Sequence, residues 1–124
     1  MAKKLPSNWR KNIRFTRNNN LDGTIEFKID FIKGKTPKGF YTNIGFLNVC
    51  KLQGGNFVDE SYLEEHFRGR GLGFSLYQKA LQDLGNLSTD YHHISRSAKK
   101  LWRKLSKKYK HKEDFWTGIL TVYK

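Results

Sequence analysis

Three glycines at alternate positions, Gly69, Gly71 and Gly73, lie between two segments with different hydrophobic periods. Before them, apolar residues alternate with polar ones, as in a strand with one buried face; after them, apolar residues recur with the 3.6-residue period of a helix. Glycines at a strand-to-helix junction let several backbone N–H groups converge on one oxyanion, and the first helical turn adds unpaired N–H groups. The pattern favours a phosphate-binding loop, with Arg68 and Arg70 adding positive charge at its rim.

Two common kinds of phosphate loop do not fit this segment. A dinucleotide fingerprint needs a further glycine where Phe74 stands, and a P-loop needs Gly-Lys-Ser/Thr, whereas Phe74 and Ser75 follow Gly73. An ordinary tight turn and an arginine-glycine tract that binds RNA remain as alternatives. A tract of that kind, however, is not expected between two strongly periodic elements.

Hydrophobic periods around the loop predict an α+β fold with about six strands and two main helices. The clearest alternation lies in residues 25–31, and the clearest helical spacing in residues 74–84, where Gly85 is placed to cap the helix. A second helix, amphipathic and basic, is expected from Ile94 to Tyr109. A loop is expected at 33–39 and a turn at 53–56. The strands are expected at residues 12–17, 25–31, 40–52, 57–64, 87–93 and 115–123.

Positive charge is concentrated in two parts of the chain. Lys and Arg number 24 against 11 Asp and Glu, which leaves a formal net charge of +13 on 124 residues. Six basic residues lie in residues 1–17 and nine in residues 96–112, with no acidic residue in either stretch. Such segregation favours a binding face for polyanions, and nucleic acid, an anionic membrane surface and a phosphorylated cofactor are all compatible with it.

Other features favour a cytoplasmic protein with one domain over residues 1–124. No stretch approaches the roughly 18 consecutive apolar residues of a membrane helix, and no membrane partner is expected. Cys50 is the single cysteine and cannot form an internal disulfide. His92 and His93 are adjacent and lack Cys or carboxylate at ligand spacing, so no metal site is predicted.

The segment from Leu63 to Gly73 resembles the fourth strand and third helix of the GNAT acyltransferases. Their loop signature is Arg or Gln, two residues, Gly, one residue, then Gly or Ala, and Arg68, Gly71 and Gly73 fill it. Downstream, four residues fall where the family usually has Asn, Ala, an aliphatic residue and Tyr: Ser95, Ala98, Leu101 and Trp102. The resemblance covers about residues 24–110 and indicates a small, divergent member with a shortened N-terminal region.

This resemblance implies a three-layer α/β/α architecture whose mostly antiparallel sheet is splayed between its fourth and fifth strands. It implies that acetyl-CoA, or another acyl-CoA, lies in that cleft with its pantetheine arm against the main chain around Tyr62–Glu64. The pyrophosphate would lie on the amides of residues 69–73, and the acyl group would pass directly to a primary amine. The cofactor-binding residues expected on this basis are Tyr62, Leu63, Glu64, Arg68, Gly69, Arg70, Gly71, Leu72, Gly73, Phe74, Ser95 and Trp102.

The catalytic residues are less clear because Trp102 replaces the tyrosine that often serves the family as general acid. An indole N–H donates hydrogen bonds but supplies no proton near neutral pH. Tyr109 is the candidate acid, with Tyr91 and Ser97 as alternatives. Asp59 is the candidate base, because alternation places it with three other residues on one strand face: Phe57, Ser61 and Leu63. A solvated or lysine-paired Asp59, with a bound water as base, remains the alternative.

Two functions follow from these features. The first is an N-acetyltransferase acting on a primary amine of a macromolecular acceptor, such as a protein lysine or a nucleic-acid-associated amine. The second is a module with the same fold but weak or no activity, which binds nucleic acid or an acidic protein. Its binding surface would run from Lys99 to Lys112 and include the basic N-terminal arm.

Overall fold

A computed structural model describes residues 9–33, 40–52 and 54–124 of the chain. Residues 34–39 of the loop predicted at 33–39 lie outside these ranges, as do residues 1–8 of the basic N-terminal arm, whereas Lys33 is the last residue of a strand. The two α-helices are α1 (Leu72–Leu84) and α2 (Arg96–Lys108), and short 3-10 turns occupy Trp9–Asn12, Glu65–Phe67 and Tyr91–His93. The strands are β1 (Ile13–Asn19), β2 (Ile25–Lys33), β3 (Phe40–Leu52), β4 (Gly55–Leu63), β5 (Asn86–Asp90), β6 (Lys110–Glu113) and β7 (Ile119–Tyr123).

The strands form one mixed sheet in the order β1-β2-β3-β4-β5-β7-β6. Neighbouring strands are antiparallel except β4 and β5, which are parallel. The predicted α+β class, the two main helices and the mostly antiparallel sheet are confirmed. The sheet has seven strands among the described residues, not about six, because β6 was not predicted. All four β6 residues are polar and exposed, so they carry no hydrophobic alternation, and pairing with β7 holds them in the sheet.

Both α-helices pack on the same face of the sheet, so the predicted three-layer arrangement is wrong for the described residues. The helices contact each other directly: the rings of Tyr77 and Trp102 lie 5.6 Å apart, and Gln78 donates a hydrogen bond to Tyr109. The cause is the direction of the crossovers. The β4–α1–β5 and β5–α2–β6 connections move the same way along the sheet, and right-handed crossovers of that kind place their helices on one face.

The hydrophobic core lies between this face and the two helices. Alternation in β2 directs Ile25, Phe27, Ile29 and Phe31 into it, as predicted. The helices contribute residues at helical spacing, including fully buried Leu81 and Leu105. Helix α1 begins at Leu72, two residues before the predicted start, and ends at Gly85, whose left-handed conformation caps it as predicted.

The largest differences between predicted and observed strand boundaries are in β5 and β7. The strand expected at 87–93 ends at Asp90, because the next three residues turn and the Tyr91 N–H donates to the carbonyl of Gly118. The strand expected at 115–123 begins only at Ile119, because the Asp114 carboxylate accepts hydrogen bonds from two following N–H groups and forms a tight turn. That turn leaves Phe115 96% and Trp116 98% exposed.

The parallel strands β4 and β5 are joined at a single residue pair, Phe57 with Ser88. Beyond this pair, β4 continues over residues 58–63, which among the described strands pair with β3 alone, except that Asp59 has no partner residue. Those residues therefore present one open backbone edge toward a cleft between the two strands. None of the described helices is long and apolar enough to cross a membrane.

Candidate functional site

A cavity of about 490 Å³ opens where β4 and β5 separate. Its walls are the end of β4, the glycine loop and the first turns of α1 and α2. A smaller cavity of about 160 Å³ continues it between β4 and α2, and four residues line both: Ser61, Tyr77, Ser95 and Ala98. The cofactor residues predicted from the sequence that line the larger cavity are Tyr62, Leu63, Arg68, Gly69, Gly71, Gly73, Phe74 and Ser95.

The glycine loop presents free backbone amides to this cleft. Gly69 and Gly71 adopt left-handed conformations, with φ of 76° and 81°, which a side chain would strain. Gly71 is the N-terminal cap of α1, and no side chain of the described residues caps the helix there. The first main-chain bond of the helix runs from the Ser75 N–H to the Gly71 carbonyl, so the amides of residues 72–74 have no intrahelical acceptor.

Three arginines surround the loop. The Arg68 Nε donates to the Leu63 carbonyl over 2.7 Å, which ties the loop to the end of β4. Arg10 and Arg70 lie against the ring of Trp9, with their guanidinium carbons 4.4 and 5.5 Å from its centre. Trp9 and Arg10 were not predicted for the site, because they are some 60 residues from the loop in sequence and carry no local signal.

Helix α2 also begins at the cleft. Ser95 is its N-terminal cap and accepts a hydrogen bond from the Ala98 N–H over 3.2 Å. Ser97 lines the cavity beside it. Because α1 and α2 start at the same cleft, the positive ends of two helix dipoles face one space. That arrangement favours a ligand that carries several negative charges.

Tyr77 is the functional candidate that sequence reasoning missed. Its hydroxyl hydrogen bonds to Ser61 Oγ over 3.0 Å, which bridges α1 and β4 within the cleft. Burial raises the pKa of the Tyr77 hydroxyl, and hydrogen bonds with Ser61 and Trp102 partly offset the rise. Tyr77 therefore keeps its proton at neutral pH. Helical spacing identifies Tyr77 only as an apolar core residue, so nothing in the sequence indicated that its hydroxyl lies in the cleft.

Asp59 lies at the mouth of the smaller cavity, but not as alternation predicted. Val58 pairs with Val49 and Glu60 with Asn48, so Asp59 is the extra residue of a β-bulge. The bulge breaks the alternation that was expected to place Phe57, Asp59, Ser61 and Leu63 on one face. Asp59 is exposed and stays a prediction as the catalytic base.

The other candidates for proton transfer lie in different places. Tyr109 lines a separate groove on the far side of α1, where its hydroxyl accepts a hydrogen bond from Gln78. Tyr91 accepts a hydrogen bond from Arg103 and lines another cavity. The structure therefore does not bring Tyr109 or Tyr91 together with Asp59, whereas Ser97 lies in the main cleft.

Four predicted cofactor residues contribute less directly to the cleft. Trp102 is 1% exposed and contacts only the smaller cavity, and the side chain of Leu72 is buried in the core. The Glu64 N–H donates to the carbonyl of Ile44, and the Glu64 carboxylate pairs with His66. The Arg70 side chain lies against Trp9. Of these four residues, Leu72 offers an open amide at the helix start.

The cleft combines open amides, positive helix ends and an unpaired strand edge, which suits a long ligand that is anionic at one end and amide-rich in its middle. No protein-family model matches the chain, and no curated protein is significantly similar to its sequence. Function is therefore inferred from the chemistry of the cleft.

Proposed function

We propose that the chain is a GNAT-type N-acyltransferase that transfers an acetyl group from acetyl-CoA to a primary amine of a macromolecular acceptor. The observation that carries this proposal is the meeting of two features at one cleft. A glycine loop with open amides begins α1, and β4 presents an unpaired edge directly beside it. The strand order, with β7 between β5 and β6, supports the same reading.

The cofactor would be held along its whole length. Its pyrophosphate would accept hydrogen bonds from the amides of residues 69–74, with Arg68 and Arg70 near enough to contribute charge. The pantetheine arm carries two amide groups, which can pair with the free edge of β4 as an added strand does. A cavity of about 490 Å³ lies within the usual range for ligand pockets.

The reaction needs one group to take a proton and one to stabilise the departing sulfur. The acceptor amine attacks the thioester carbonyl, the C–N bond forms, and the C–S bond breaks to release CoA. Asp59, or a water that it holds, takes the proton from the attacking nitrogen. The Tyr77 hydroxyl is protonated at neutral pH even at its ordinary pKa of 10.0, which burial raises further, and it turns from Ser61 to donate a hydrogen bond to the sulfur as negative charge develops there.

Tyr77 thereby replaces, from α1, the phenol that the family usually provides at the position of Trp102. Trp102 supports it through an edge-to-face ring contact, with the ring centres 5.6 Å apart. With Tyr77 in this role, the cleft contains a hydroxyl that can donate to the departing sulfur although the family's usual tyrosine is absent. Tyr77 thus takes the place of Tyr109, the acid expected from the sequence, which lies in the separate groove.

The test is isothermal titration of the protein with acetyl-CoA and with CoA, using Gly71→Glu and a matched control, Gly23→Glu. Both glycines have positive φ, and at both an added Cβ would meet no atom within 4 Å. The two substitutions therefore impose similar backbone strain, about 1–2 kcal/mol, and the same change of charge. We expect saturable binding in the natural protein and in Gly23→Glu, and loss of binding in Gly71→Glu.

Equal affinity in the two variants would refute the assignment of the loop. Absence of binding in the natural protein would refute the cofactor and leave the alternative of an inactive module. If binding is found, release of CoA is then measured with a thiol reagent and amine acceptors. Cys50, which is partly buried, is the only protein thiol and sets a background that a protein-only control measures.

A further inference from the structure

We propose that a groove on the outer side of α1 binds single-stranded nucleic acid. This α1 groove has a volume of about 810 Å³ and lies between the β1–β2 hairpin and α1. Its main lining residues are Phe15, Arg17, Gln78, Lys79, Lys108 and Tyr109. It lies on the other side of α1 from the cleft proposed for acyl-CoA, with Leu76 lining both, and its function does not depend on that proposal.

The groove exists because two helices cannot cover seven strands. Strands lie about 4.8 Å apart, so a seven-stranded sheet is roughly 29 Å wide, whereas two packed helices cover about 20 Å. Helices α1 and α2 occupy the middle and the β6 side of their face, which leaves the β1 side open. The partly buried ring of Phe15 consequently lines the floor of a groove, beside the buried core residue Phe27.

Positive charge lines this groove. The Lys79 Nζ lies 4.6 Å from the centre of the Phe15 ring, and the Lys108 Nζ lies over Phe74 and Tyr109. Asp83 is the acidic residue of the lining, and Arg17 pairs with it over 3.1 Å. Lys79 and Lys108 are exposed and flexible, so they can turn from these rings toward phosphates.

Single-stranded nucleic acid fits the groove better than an acidic peptide does. Rings beside lysines provide stacking surfaces for bases, and such surfaces with a basic groove are typical of single-strand binding. The side-chain amides of Gln78 and Gln82 provide both donors and acceptors, which base edges require and an acidic side chain does not. A duplex would keep its bases stacked and away from the Phe15 and Tyr109 rings.

This groove differs from the surface predicted from the sequence, which ran from Lys99 to Lys112. That stretch spreads over α2 and β6, and Lys108 is its one basic residue that lines the groove. Lys104 lies over the ring of Phe74, which lines the cleft proposed for acyl-CoA. Lys110 and Lys112 belong to β6, at the opposite edge of the sheet from β1. The two edges therefore provide a matched comparison.

The experiment measures binding of a fluorescein-labelled single strand of about 12 nucleotides, within the usual site size of about 4–16, by fluorescence anisotropy at several salt concentrations. Lys79→Glu/Lys108→Glu is compared with Lys110→Glu/Lys112→Glu, which changes the net charge equally. We expect the groove variant to lose at least about tenfold in affinity and the β6 variant less than about threefold. In the groove variant, the loss of two phosphate contacts should also lower the slope of log affinity against log salt concentration by about 1.4.

Equal losses in the two variants would show that only overall charge matters and would overturn the proposal. Stronger binding of a duplex, or full displacement of the strand by poly-glutamate at equal charge concentration, would also overturn it. Lys79→Gln/Lys108→Gln repeats the test without introducing negative charge, and it should reduce the salt slope in the same direction. Gly71→Glu should leave this binding unchanged, so failure of the acyl-CoA site and failure of the groove are distinguishable.

Discussion

Replacement of Tyr77 by Phe tests whether its hydroxyl acts in catalysis. The substitution keeps the ring that packs 5.6 Å from Trp102 and removes only the hydroxyl that bonds to Ser61 over 3.0 Å. Loss of one such hydrogen bond costs about 1–1.5 kcal/mol of folding free energy. For 124 residues, an unfolding entropy of about 2.1 cal/mol/K per residue converts this cost to a fall in Tm of about 4–6 °C.

The effect on catalysis should be larger than the effect on stability. If the Tyr77 hydroxyl stabilises charge on the departing sulfur, kcat should fall by about 10²–10³. Affinity for CoA should change little, because the hydroxyl meets the sulfur only as the bond breaks. The assay is steady-state release of CoA with an amine acceptor, at a temperature well below the Tm of the variant.

Tyr109→Phe is the matched control. It likewise removes one phenol hydroxyl, which accepts a hydrogen bond from Gln78 over 2.9 Å, whereas the Tyr77 hydroxyl donates its bond to Ser61. Its Tm should fall by a similar amount while kcat stays unchanged, because Tyr109 lies on the other side of α1. An unchanged kcat in Tyr77→Phe, or equal loss in the two variants, would refute the role of Tyr77.

Two further predictions concern stability. Burial holds the pKa of Tyr77 in the folded protein above its ordinary value of 10.0. The stabilisation by the protonated Tyr77 hydroxyl is therefore fully present below pH 10.0 and is lost as the pH rises through the pKa of the folded state. Urea unfolding at stepwise alkaline pH should therefore show a steeper decline in the natural protein than in Tyr77→Phe. Gly118→Ala should destabilise more than Gly23→Ala, because both have positive φ but only the Gly118 Cβ would collide with the His92 ring; equal Tm values would contradict this.

Local patterns predicted those parts of the fold in which one residue type dominates a face. Alternation in β2 was enough because its four inward residues are apolar and their neighbours polar. Strand β6 could not be predicted, since its residues are polar and its place depends on a partner strand later in the chain. The bulge at Asp59 is equally invisible in sequence, because it is a property of the register between β3 and β4.

The candidate site likewise contains some residues that local sequence identifies and others that only tertiary contacts bring together. Gly69 and Gly71 could be identified because their backbone conformations exclude most other residues, which is a local requirement. Tyr77 could not, because helical spacing treats it as apolar and its hydroxyl reaches Ser61 only where β4 meets α1. The stacking of Arg10 and Arg70 on Trp9 likewise depends on tertiary contact.

The open edge of β4 bears on how the chain avoids pairing with other proteins. An exposed strand edge is a template for aggregation, and folds protect such edges with charges, bulges or covering elements. Here the edge lies inside the sheet, Asp59 adds both a bulge and an exposed carboxylate, and the first turns of two helices stand over the opening. On the proposed function, the pantetheine arm would lie in this recess as a chain of amides without side chains and pair with the same edge. The recess that shields the edge from other chains would then also hold the proposed ligand.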